Sequence, residues 1–165
     1  MGKEQKSESG LYTIGHSNHS IEKFISLLNF HNITYLVDVR TSPYSRWNPQ
    51  FIKMILAKSL KKAGITYKWG GKYLGGLNGS SINNPHFIGT MEKVLAVAEN
   101  ENVAMMCSES KPEECHRAMK LTAWVHKETE LDPHHITKNG LVSSRGLEAV
   151  MPQSWFWHEF GGDYK

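Results

Sequence analysis

Cysteine is scarce in this 165-residue chain, which has two, Cys107 and Cys115. Two are too few to staple a disulfide-rich secreted domain, so both read as thiols or ligands in a reducing compartment. No apolar run approaches the ~18 residues that mark a membrane-spanning helix. The start MGKEQKSESG has no apolar stretch of the kind a secretory signal carries. The expectation is a soluble, cytoplasmic protein with no membrane partner. Also missing are a C-x-x-C pair, an H-E-x-x-H helix and a nucleotide P-loop, and the glycines of residues 70–76 do not spell G-x-G-x-x-G. Neither cysteine is followed six residues later by arginine, since Glu113 and Leu121 stand there. Phosphatase-like and rhodanese-type loops are thereby excluded, and no cofactor is assigned. The net charge of +3, from 19 basic and 16 acidic residues, reads as a mild excess along the chain that does not demand nucleic acid.

What is present suits one core. Residues 1–10 are polar and charged after Met1 and read as a disordered tail. Residues 11–144 read as a single α/β domain, and 145–165 as a C-terminal extension packing on it. Leu11 to Ile14 is a short predicted strand ending at Gly15-His16. Ser20 is placed to cap a helix whose apolar residues Ile21, Phe24, Ile25 and Leu28 share one face. Ile33 to Val37 is a β-prone run ending in Asp38-Val39-Arg40. Asn48-Pro49 is predicted to open a helix through Phe51, Leu56 and Leu60 that Gly64 closes. Ile65 to Trp69 reads as a strand, residues 70–79 as a glycine-rich loop, and Asn84-Pro85 as the start of another helix. Val103 to Met106 is a fourth strand ending at Cys107, Ser110 and Glu113 have capping-box spacing, and His134 to Thr137 is a short fifth strand. Strands alternating with helices predict a mainly parallel sheet in a three-layer α/β sandwich.

Reactive residues gather at the predicted strand ends: His16 and Ser17, Asp38 and Arg40, Cys107 and Glu109. Ligands bind at such ends in open parallel sheets, so these stretches are expected to converge on one cleft. Cys107, at a strand end before a helix, is placed where helix-terminal amides favour a thiolate, although a small buried core residue is the equal alternative. Cys115 shares the predicted inner face of its helix, and for it the core reading leads. Cys107, Cys115 and His116, with His16, are ligand types for zinc, but the spacing of the cysteines is not a zinc pattern and no metal is assigned. Arg40, Arg46 and Arg117 are expected to hold a phosphate or carboxylate, the structural alternative being ion pairs with Asp38 and Glu109. Tyr44, Trp47, Trp69 and Tyr73 beside these arginines suit stacking on a nucleobase or closure over the sheet edge.

Taken together, five ordered motifs resemble the family catalogued as domain of unknown function 488. They are Tyr12-Thr13-Ile14-Gly15-His16-Ser17; Leu36-Val37-Asp38-Val39-Arg40 followed by Pro43 and Ser45-Arg46; Asn48-Pro49-Gln50-Phe51; Leu74-Gly75-Gly76; and Cys107-x-Glu109 followed by Cys115-His116-Arg117. The resemblance covers about Tyr12 to Val125. It implies a Rossmann-like α/β domain and motif positions at His16, Ser17, Asp38, Arg40, Arg46, Cys107, Glu109, Cys115, His116 and Arg117, but no substrate. Trp47 after Arg46, and the small residues Gly79 to Asn84, depart from the pattern and point to altered substrate fit.

The leading expectation is a small enzyme, a hydrolase or transferase, acting on a nucleotide-like or other anionic small molecule. Asp38, Glu109, His16 and His116 would move protons, Cys107 would be the nucleophile, and Ser17, Arg40, Arg46 and Arg117 would bind the ligand. The alternative is a non-catalytic nucleotide- or nucleic-acid-binding module using Lys53, Lys58, Lys61 and Lys62, lysines that otherwise form a solvated helix face. A third reading is a homo-oligomer or partner contact through Trp155, Phe156 and Trp157.

Overall fold

Near-continuous apolar runs such as Val103-Ala104-Met105-Met106 commit a sheet to burying both faces, and this chain has them. A computed structural model describes residues 10–76 and 81–152. Its strands are β1 (Leu11–Gly15), β2 (Tyr35–Asp38), β3 (Thr66–Trp69), β4 (Val103–Cys107), β5 (His134–Thr137) and β6 (Gly140–Ser143). The helices are α1 (Ile21–Phe30), α2 (Lys53–Lys62), α3 (Gly71–Leu74), α4 (Pro85–Ala98), α5 (His116–Glu128) and α6 (Ser144–Val150). The strands form one sheet in the order β3-β2-β4-β1-β5-β6, parallel throughout except for the β5–β6 pair. The α/β class and mainly parallel sheet agree with the sequence reading. Among the described residues no helix is long and apolar enough to cross a membrane.

Strand side chains divide between two cores. Leu11, Val37, Val103 and Met105 join Phe87 and Met91 of α4 and Leu121, Trp124 and Val125 of α5. Tyr12, Ile14, Leu36, Ala104 and Met106 join Phe24 and Leu28 of α1 and Leu56 and Leu60 of α2. The central strand β4 is buried at all five positions, as a strand covered on both faces must be. Each large apolar side chain so buried contributes roughly 1.5–3 kcal/mol.

Several boundaries follow the sequence signals. Ser20 caps α1 by accepting from Lys23 N, and Asn84 caps α4 by accepting from His86 N. Gly64, at φ 78°, ends α2 in the left-handed conformation that glycine adopts without penalty. Other expectations are corrected. Asn48-Pro49 opens only a 3-10 turn, Pro49–Phe51, and α2 restarts after an extended Ile52. The Phe51 carbonyl accepts from Arg40 Nη2 at 2.8 Å, a bond that ties the turn to the end of β2. The loop expected over 70–79 contains α3, because Gly71 lets the chain approach the Arg40 carbonyl, where a Cβ would stand 1.8 Å from that oxygen. The capping-box segment folds instead as a second 3-10 turn, Pro112–Glu114, without a side-chain cap.

Strand β6 was not foreseen, and α6 spans the expected boundary at 144/145. Arg145 fixes α6 by donating to the carbonyls of Leu131, Thr129 and His126. Gly10, assigned to the tail, is tied to the sheet through its carbonyl and Val103 N. The remaining tail residues 1–9, most of the extension, including Trp155, Phe156 and Trp157, and part of the Gly79–Asn84 insertion lie outside the described residues.

Candidate functional site

The strand register separates what the sequence placed in one cleft. Asp38 pairs in register with Met106, so it shares the sheet face of Met106 that α1 and α2 cover. Cys107 follows Met106 and points the opposite way, into the core with α4 and α5. Two polar groups therefore occupy the same end of the sheet on opposite faces.

On the first face Asp38 and Arg40 form a buried bidentate pair. Arg40 Nε donates to Asp38 Oδ1 at 2.9 Å and Nη2 to Oδ2 at 2.7 Å, with Asp38 0% and Arg40 3% exposed. Arg40 N also donates to Oδ1, and the Tyr67 hydroxyl donates to Oδ2 at 2.5 Å. Burial first, then this bond to Asp38, pushes the Tyr67 hydroxyl well above the ordinary tyrosine range. His16 stacks on Phe51 with ring centroids 4.3 Å apart. Its Nδ1 donates to the Ser17 carbonyl at 2.8 Å, which leaves Nε2 as the acceptor 3.4 Å from Arg40 Nη1. Burial is the largest cause lowering the His16 pKa to about 4, so the ring is neutral at pH 7. The pairing of Asp38 to arginine is the structural alternative that the sequence had offered for this group.

The second face holds the cysteines. Both are buried, neither is in a disulfide, and the Cys115 and Cys107 sulfurs are in direct contact. Cys107 Sγ in turn lies 3.8 Å from the Glu109 carbonyl. That carbonyl packs against the end of β1, where a Cβ on Gly15 would meet it at 1.6 Å. Gly15 is thus the residue that lets the loop after β4 fold across β1. Ser17 N and His16 N continue the ladder to the carbonyls of Ser108 and Cys107. Cys115 immediately precedes α5, so the thiol pair links the end of a central strand to the N-terminus of a helix.

The other assigned residues are scattered. Glu109 is exposed in the loop after β4, and Arg46 is exposed with its guanidinium 5.1 Å over the Trp47 ring. Ser17 adopts φ 48°, and its carbonyl orients His16. His116 and Arg117 are the first two residues of α5, and their side chains lie outside the described set. Among the described residues no three or more His, Cys, Asp or Glu side chains are grouped so as to hold a metal ion. A groove of about 250 Å³ between α4 and α5, lined by Ile82, Ile88, Glu92, Trp124 and neighbours, includes none of the assigned residues.

Tyr67 was not assigned from sequence, yet with Phe51 and Trp69 it completes the charged assembly. Tyr67 was legible only through register, which sets it beside Leu36, one residue short of pairing with Val37 and two short of Asp38. Trp69 Nε1 donates to the Arg40 carbonyl at 2.8 Å, closing the assembly from the sheet edge.

The family model described as domain of unknown function DUF488 matches residues 20–87. Over these residues the chain is similar to that family. The match is shorter than the Tyr12 to Val125 stretch over which motifs were read. The matched segment carries Asp38, Arg40, Phe51 and Tyr67, whereas both cysteines lie beyond it. No curated protein and no solved structure matches the chain.

Proposed function

We propose that the protein is a Rossmann-like three-layer α/β enzyme, a hydrolase or transferase, that attacks an anionic small molecule with a cysteine thiolate at the strand ends. The observation that carries this reading is the contact between the two sulfurs where β4 ends and α5 begins. A thiol beside a thiolate stabilises its negative charge, and the position at the end of β4 assigns Cys107 as nucleophile with Cys115 beside it. The N-terminal amides of α5, with Arg117 in its first turn, favour an anionic group beside them.

In the reaction the Cys107 thiolate forms a bond to the electrophilic carbon or phosphorus, and the leaving group departs with its electron pair. A neighbouring acid, Glu109 or His116, supplies its proton. Water or a second substrate then displaces the thiol. Asp38, Arg40 and His16 are assigned to holding the ends of β1 and β2, since Asp38 has both oxygens engaged and Arg40 uses four of its five N–H donors. Substrate must displace the loop over 108–114 to reach the sulfurs, as both thiols are buried.

The test is a panel of phosphoesters, carboxylic esters and thioesters assayed with wild type, Cys107→Ser and Cys115→Ser. The expected result is product release by wild type and at least a hundredfold loss in Cys107→Ser, on the order of an activated nucleophile's contribution. Equal turnover by wild type and Cys107→Ser removes the thiol from the mechanism.

A further inference from the structure

The overall charge conceals a strong segregation. Between Asp38 and Glu92 lie eight of the 19 basic residues and none of the 16 acidic ones. Arg40 is buried against Asp38, but the other seven cations, among them Arg46, Lys53, Lys68 and Lys72, are exposed. The reading of a mild excess spread along the chain is therefore replaced by one basic region. Its charges have no acidic neighbour in sequence to neutralise them, so they project a field toward solvent.

The same region exposes aromatic rings. Trp47 is 81% exposed, Tyr44 61% and Trp69 36%. No core packing explains an indole left so far in water. Three rings near the sheet edge are paired with a cation: Arg46 over Trp47 at 5.1 Å, Lys53 over Trp69 at 5.1 Å and Lys72 over Tyr73 at 5.4 Å. Tyr73 also stacks on His86 with 4.9 Å between centroids and 13° between planes. These pairs share one neighbourhood. Trp69 bonds to the Arg40 carbonyl, Gly71 packs against that carbonyl, and Lys53 N donates to the Pro43 carbonyl. Behind them β3 is the terminal strand of the sheet, with an open edge.

We infer that this surface binds single-stranded nucleic acid, with Trp47 and Trp69 stacking unpaired bases and Arg46, Lys53 and Lys72 contacting phosphates. Cations alternating with exposed rings match a strand that presents a phosphate and a base at each step. A duplex hides its bases from such rings. A membrane surface calls for a continuous apolar face, whereas here cations interrupt the rings. The inference is independent of the thiol chemistry, whose residues lie outside this stretch.

The test is fluorescence anisotropy with a labelled single strand of about 20 nucleotides, its duplex, and vesicles containing phosphatidylserine as competitor probes. Single strands are expected to bind at least tenfold more tightly than duplex, with affinity falling as salt rises. Trp47→Ala is expected to weaken binding about tenfold with the salt slope unchanged, as loss of one stacked base does. Arg46→Ala and Lys53→Ala are each expected to flatten the slope of log K against log salt by about 0.7. Lys127→Ala on α5 is expected to change affinity less than twofold. Equal binding of duplex, binding of vesicles but not of oligonucleotide, absence of binding to every probe, or full affinity in Trp47→Ala overturns the inference.

Discussion

The two faces of the sheet end differ in the chemistry of the polar groups they hold. On the α1/α2 face Asp38, Arg40, His16 and Tyr67 meet one another and the backbone in a closed set of bonds. On the α5 face two sulfurs are in direct contact, an uncharged pair of more reactive atoms. A closed charged set in a dry interior specifies geometry, because every alternative arrangement leaves a charge without a partner. A thiol pair specifies little and retains its chemistry. Under the proposed function, one face is framework and the other carries the reaction.

The largest expected effect breaks the framework. Arg40→Ala leaves Asp38 as an uncompensated buried carboxylate, and urea unfolding should report a loss of roughly 3–5 kcal/mol. Asp38→Leu combined with Arg40→Met should lose less than either single truncation, since neither charge is then stranded. A double variant as unstable as the sum of the single ones would contradict this coupling.

Acid sharpens the comparison, because each face holds one neutral histidine. His16 on the first and His135, bonded through Nδ1 to Thr13 on the second, both have pKa values lowered to about 4, chiefly by burial. An unfolded histidine takes up its proton near pH 6.5 and these do not until about pH 4. Their contribution is therefore full above pH 6.5 and lost as the pH falls toward 4. Each accounts for roughly 3 kcal/mol over that window. His16→Gln is expected to make the urea midpoint less steep in pH across the window, and an unchanged slope would show that His16 does not carry the effect.

Tyr67→Phe removes one bond to the Asp38 carboxylate and is expected to cost about 1.5–3 kcal/mol. Cys107→Ala is expected to cost only about 1 kcal/mol while abolishing turnover. A reversal of these two, with Tyr67→Phe silent and Cys107→Ala strongly unfolding, would exchange the roles of the two faces.

Much of this was legible in the sequence. The α1 face, the caps at Ser20 and Asn84 and the strands β1, β4 and β5 followed from apolar spacing and local hydrogen-bonding residues. The hairpin strand β6 and the helix α3 did not, because one is a short, half-exposed strand and the other sits among glycines whose use depends on the distant Arg40 carbonyl. The pairing of Asp38 with Arg40 was legible only as the alternative to the catalytic role expected of Asp38. The division of the site into two faces was only half legible. Alternation puts Asp38 with Arg40 and Cys107 with Met105, but only the β2–β4 register tells which residues of the two strands share a face. The basic region between Asp38 and Glu92 was fully legible, and averaging the charge over the chain hid it.

The most direct test of the division is iodoacetamide alkylation of the native protein, read by peptide mass spectrometry at Cys107 and Cys115. The account predicts that one thiol, Cys107, is modified much faster than the protein unfolds, with Cys115 slower. Alkylation that waits for global unfolding, or that reaches Cys115 first, would contradict it.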